Sequence, residues 1–187
     1  MKKIKLICII LFSLLVSSNS ISNELDYLFI ELKNAKNSSQ AINLEKKIWN
    51  IWKTNGSNKI NNLKMNKGII FLNNGNLNIA LKIFLDLCMA DPEWAEPYNK
   101  VATIKFLQKD YKASVKYINL TLEKERRHFG AISGLAQINL RLQKFDEALK
   151  NVNHVLKIHP FIGIKKIKPF LLEKLKIKEI NFNLNFY

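Results

Sequence analysis

Apolar residues in this chain recur every three or four positions over most of its length, and short polar breaks interrupt them. That spacing is the period of a helix with one buried face. Residues 24–33 (ELDYLFIELK) and 39–53 (SQAINLEKKIWNIWK) show it first. In the second segment Ile42, Ile48, Trp49 and Trp52 fall near one face, and Ser39 stands where a cap belongs. Further along, NNGN at 73–76, QKD at 108–110 and QKF at 143–145 split longer apolar runs into pairs. After Pro160, the positions Ile164, Ile167, Leu171 and Leu175 make one more apolar face, and NFNLNFY follows as an expected loose tail. The pattern predicts an all-α chain.

The pattern also repeats with a step of 34 residues. Gly68, Ala102 and Ala136 keep that step, as do Ala80, Ser114 and Ala148. So do the large residues Leu77, Tyr111 and Phe145, and Phe84, Ile118 and Val152. Pro92 and Pro160 lie two steps apart with Arg126 between them. Small columns let two helix axes approach, and the large columns fill the space beside that contact. Proline ends the second helix of a unit because it cannot continue one.

These columns resemble the tetratricopeptide repeat (TPR). Units at about 61–94, 95–128 and 129–162 match its order of small residue, large apolar residue, Ala, aromatic and Pro. Unit one supplies Gly68, Phe71, Ala80, Phe84 and Pro92, and unit three carries the FDEAL segment at 145–149. Unit two departs from the pattern at Lys105 and Arg126. The resemblance implies a right-handed superhelical solenoid of antiparallel helix pairs. An N-terminal helix pair would occupy 23–60, three repeats 61–162, and a capping helix with a tail 163–187. The Trp-rich segment at 48–52 and HFGA at 128–131 add a resemblance to small exported bacterial TPR proteins.

In such arrays the first helix of each unit lines a concave groove. The residues the resemblance places there are Met65, Ile69 and Leu72, then Asn99, Thr103 and Phe106, then Ser133, Gln137 and Arg141 with Leu140 beside them. Some TPR grooves hold a terminal carboxylate with a set of Lys, Asn and Arg. Met65 and Ile69 stand where the first of those would be, so the implied partner is a protein or peptide segment with apolar and amide side chains.

Residues 1–22 have the layout of a secretory signal peptide. Lys2, Lys3 and Lys5 form a basic start, the short run from Ile4 to Val16 is apolar except at Lys5, Cys8 and Ser13, and small Ser residues follow, with cleavage expected after Ser20 or after Ser18 or Ser22. An exported, periplasmic protein is expected. Cleavage would remove Cys8 and leave Cys88 as a single thiol in the apolar run FLDLCMA, read as buried and inert.

The formal charge of +15 comes from 27 Lys and only three Arg. Lys, Asn and Ile all have A/T-rich codons, so genome composition explains much of the excess. Nucleic-acid surfaces favour Arg for bidentate contacts, and its scarcity argues against that partner. Lysines after Pro160 leave an alternative, a cell-envelope assembly helper whose basic C-terminal helix rests on anionic membrane.

Catalytic signatures do not appear. The chain has no GxxxxGK[ST], no HExxH and no Cys pair at metal spacing. His154 and His159 are five apart and share no helix face at ligand spacing. His128, beside Arg126 and Arg127, is read as stabilising an inter-repeat turn, with anion binding as the other reading. No nucleophile, base and acid come together. The expectation is a non-enzyme with no cofactor, no metal and no small-molecule substrate.

Overall fold

The computed structural model describes the backbone of residues 24–184 and the side chains of residues 24–177. The expected signal peptide therefore lies outside the described residues. Every regular element among the described residues is helical, and none of these helices is long and apolar enough to cross a membrane. The described residues fall into two compact units, divided along the chain between Ile51 and Trp52.

In the first unit, α1 covers residues 24–33 and is followed by α2, Ser38–Thr54, whose last residues from Trp52 on belong to the second unit. Leu25, Leu28, Phe29 and Leu32 are buried on α1, and Ala41, Leu44 and Ile48 on α2. The buried stripe of α2 is thus offset from the expected one, because Ile42 is 48% exposed. The cap differs as well. Asn37 Oδ1 accepts the Gln40 backbone N–H at 2.9 Å, while Gln40 Oε1 accepts the Lys36 N–H at 2.9 Å. This reciprocal pairing resembles a capping box and takes the role expected of Ser39.

The second unit contains three helix pairs. These are α3 (Lys59–Asn73) with α4 (Leu77–Ala90), α5 (Ala95–Leu107) with α6 (Tyr111–Lys124), and α7 (Phe129–Arg141) with α8 (Phe145–Ile158). The small columns sit at the helix contacts, since Ala80 and Ala148 are fully buried and Ser114 nearly so. A β-carbon added to Gly68 would come within 2.6 Å of the Phe84 ring. Ser114 can replace Ala in its column because its hydroxyl donates to the Ala102 carbonyl at 2.8 Å. Its polar atom is satisfied inside the core, so burial carries little penalty.

The turns within the pairs repeat too. Gly75, Lys109 and Gln143 take positive φ of 77°, 61° and 57°. Around Lys109, the Asp110 N–H donates to the Lys105 carbonyl and the Lys109 N–H to that of Phe106, each at 2.9 Å. This left-handed closure satisfies the last carbonyls of the first helix.

Past Pro160, a short 3-10 helix, Gly163–Ile167, leads into α9, Lys168–Leu184. Leu171 is fully buried in one cluster with Ala136, Ala148 and Val152, and Ile164 and Ile167 pack against it. These side chains cap the repeat array, as a solenoid end requires. The helix continues through Leu184, so the first part of the expected loose tail is helical. No Gly or Pro follows Pro169 to stop it.

Candidate functional site

The first helices of the units present two neighbouring columns that differ in exposure. Met65, Asn99 and Ser133 form one column and are all buried. Ile69, Thr103 and Gln137 form the next, with Ile69 half-buried and the other two exposed. Met65 was expected in the groove, but it is fully buried with Ala80 and Phe84, so it serves the core. Ile69 packs against that same core.

Four expected groove residues do come together. Asn99, Thr103 and Phe106 from α5 and Gln137 from α7 line one pocket of about 140 Å³, floored by Ala102, Ser114 and Ile118. Gly130 and Gly134 of α7 leave the opening unobstructed by side chains. Phe106 is half-buried, its ring 5.7 Å from that of Tyr111, so it is a fixed apolar wall. Thr103 Oγ1 donates to the Asn99 carbonyl at 2.9 Å, which turns its methyl and hydroxyl into a set position.

Arg141 lies in an adjoining, larger recess of about 750 Å³ that shares Gln137 with the first pocket. Leu140, Phe145, Ile164, Ile167 and Phe170 form its walls, and Lys174 its second cation. Ile164, Ile167, Phe170 and Lys174 belong to the C-terminal segment, which the repeat pattern identified only as a cap.

Beneath the first pocket lies a buried polar network that the sequence reading missed. Glu96 is fully buried at the start of α5. Its carboxylate is 2.8 Å from Lys100 Nζ and accepts the Asn99 Nδ2–H at 3.1 Å. His128 Nε2 approaches the same carboxylate at 3.0 Å across 32 residues of sequence. The Ala131 backbone N–H donates to His128 Nδ1 at 3.2 Å, so His128 caps α7 and its proton sits on Nε2, facing Glu96. Burial pushes the Glu96 carboxyl up, but the Lys100 charge and the His128 hydrogen bond outweigh it and hold the group below its ordinary value. The network fixes Asn99, one wall of the pocket.

His128 is therefore a turn-stabilising residue. Arg127 is engaged nearby, donating from Nε and Nη2 to Glu125 at 3.0 and 3.1 Å. Cys88 is buried, and that burial pushes its thiol up to about 12, which removes the thiolate needed for reactivity. No cluster of metal-ligating side chains occurs among the described residues.

No family model matches the chain. A TPR repeat-containing protein of Rhizobium etli is 34% identical to it over 147 residues, which span 77% of this chain and 70% of that relative. Among solved structures, the first TPR of Spaghetti (RPAP3), bound to an HSP90 peptide, is similar with a TM-score of 0.58 and 22% identity. That match covers 61% of this chain and 91% of the other. A mutant of MamA is similar with a TM-score of 0.52 and 15% identity, over 86% of this chain and 90% of the other. At these identities the two structures bear on the fold alone.

Proposed function

The chain belongs to the tetratricopeptide-repeat family, and from that membership we propose that it is a non-catalytic, exported scaffold binding a protein or peptide along the face of α5 and α7. The observation that carries this reading is the pocket in which Asn99, Thr103, Phe106 and Gln137 meet on successive first helices. It combines one aromatic wall with amide and hydroxyl groups, the mixture an extended peptide engages through its backbone and one apolar side chain. The peptide held by the first TPR of Spaghetti supports the class of partner, though not its identity. Export rests on the basic and apolar start of the sequence.

The test must spare the fold. Phe106 is half-buried, so replacing it would disturb packing as well as binding. Thr103 and Gln137 are exposed, and Thr103→Trp with Gln137→Trp fills the groove without touching the core. Affinity for a partner recovered from envelope extract should fall about tenfold or more, the size of a clash at a binding centre. Lys116→Ala with Lys150→Ala, both exposed on the second helices, should leave binding unchanged. Binding that survives the groove variant and fails with the other pair would place the interface on α6 and α8. N-terminal sequencing of the cellular product tests export, and an intact Met1 would remove it.

A further inference from the structure

The larger recess beside α7 has a chemistry of its own. Phe145 and Phe170 meet edge to face with ring centroids 6.3 Å apart. Lys174 Nζ lies 5.4 Å over the Phe170 ring, which holds that ammonium at the rim. Arg141 projects from the last turn of α7 into the same recess. Leu140, Ile164 and Ile167 complete an apolar interior, and no carboxylate of the described residues lines it. Among the described residues neither Arg141 nor Lys174 is paired with an acid. The volume of about 750 Å³ falls within the usual range of about 300–1,000 Å³ for ligand sites. Phe170 remains 43% exposed although it sits beside a packed cap, so the aromatic wall is accessible to a ligand.

We propose that this recess, formed jointly by α7 and the C-terminal cap, selects a peptide segment in which an apolar side chain is followed by two carboxylates. This deepens the groove reading and rests on it. The apolar side chain enters between Phe145, Ile167 and Phe170. The two carboxylates meet Arg141 and Lys174, cations of complementary charge with no competing acid among the described lining residues. Gln137 belongs to both pockets, so a single extended chain can cross from the amide-lined pocket into the charged recess. That continuity favours a peptide over an anionic amphiphile, whose tail would have to cross Asn99, Thr103 and Gln137. The C-terminal segment thereby becomes a specificity element as well as a cap.

The probes are short fluorescent peptides, acetylated and amidated so that chain termini carry no charge. Each has a polar Ser/Asn run followed by Leu-Asp-Asp, Leu-Lys-Lys or Ser-Asp-Asp. Fluorescence polarisation should show the Leu-Asp-Asp peptide binding the full chain at least about tenfold tighter than either counterpart. Arg141→Glu combined with Lys174→Glu should reverse the order of the Asp and Lys peptides, and a reversed preference also demonstrates a folded recess. Equal affinity for the three peptides, or an unchanged order in the charge-reversed variant, overturns the proposal. Loss of all peptide binding in Thr103→Trp with Gln137→Trp, alongside an unchanged order in the charge-reversed variant, keeps the groove and discards the recess. The converse pair of results keeps the recess and discards the groove. Binding of dodecanoate but of no peptide identifies a lipid-like acid as the ligand and overturns both.

Discussion

The Trp52 indole lies flat on the His128 imidazole, with centroids 4.0 Å apart and planes inclined by 8°. The same indole packs obliquely against Phe129, centroids 4.9 Å apart. Trp94 Nε1 donates to the Trp52 carbonyl at 2.6 Å. Trp94 and His128 are the residues immediately before α5 and α7, and both are buried. Trp52 thus ties the starts of two successive first helices to one point. Through His128 and Glu96 that tie reaches Asn99 in the binding pocket. The orientation of the proposed groove consequently depends on aromatic and charged residues outside it.

The network gives stability an acid limb. Glu96 is held below its ordinary value of 4.5 in the folded chain, so folding favours its ionised form. Its contribution is full above pH 4.5 and is lost as pH falls through the depressed folded value. Glu96→Gln should remove that dependence and cost about 3 kcal/mol at neutral pH, since it leaves Lys100 and His128 without their carboxylate. Urea unfolding at pH 7 and in the acid range measures both. Parallel acid limbs in the wild type and the variant would show that Glu96 is not the titrating group.

The left-handed turn positions offer a second test. Lys109 pays the steric penalty of an L-residue at φ 61°, and its side chain is exposed to solvent. Gly75 occupies the equivalent turn of the first repeat without that penalty. Lys109→Gly should therefore stabilise the chain by about 0.5–1 kcal/mol, after the added entropy of the unfolded glycine is subtracted. Gly75→Ala should destabilise it. Thermal melts of the two variants should move in opposite directions, and movement in the same direction would contradict the turn geometry.

The repeat was legible because it recurs. Each small column, from Gly68 to Ala136 and from Ala80 to Ala148, states the same packing requirement three times. The family and the all-α fold follow from that redundancy. The Glu96–His128–Trp52 network occurs once, and its members occupy columns whose other residues differ in chemistry. Trp94, His128 and Ile162 share one buried position, before α5, before α7 and before the 3-10 helix, yet they are an aromatic, an imidazole and an aliphatic residue. Burial was the common property, and residue type did not reveal it. Met65 failed as a groove residue for a related reason. Its column faces inward, while the next column carries the exposed Thr103 and Gln137. A helical period fixes which residues share a face but does not say which face another helix covers. Phe170 and Lys174 stayed hidden because the C-terminal segment lies outside the repeat and has no second copy to compare.

Two glycines in first helices should answer the same substitution with opposite signs. A β-carbon at Gly68 would stand 2.6 and 2.8 Å from two atoms of the Phe84 ring and 3.1 Å from Ile83. Phe84 is fully buried, so its ring cannot withdraw without displacing other core side chains. A β-carbon at Gly134 would meet only Ile118 Cδ1 at 3.4 Å, an ordinary contact. In both helices Ala gains about 1 kcal/mol over Gly from backbone propensity. At Gly134 nothing opposes that gain, so Gly134→Ala should stabilise by about 1 kcal/mol while narrowing the pocket it borders. At Gly68 overpacking of about 1–3 kcal/mol exceeds it, and Gly68→Ala should lower the melting temperature. Chemical denaturation of the two variants, read against the wild type, supplies the comparison. If Gly68→Ala were as stable as Gly134→Ala, the close approach of α3 and α4 would be wrong, and with it the reason for a small residue at that column.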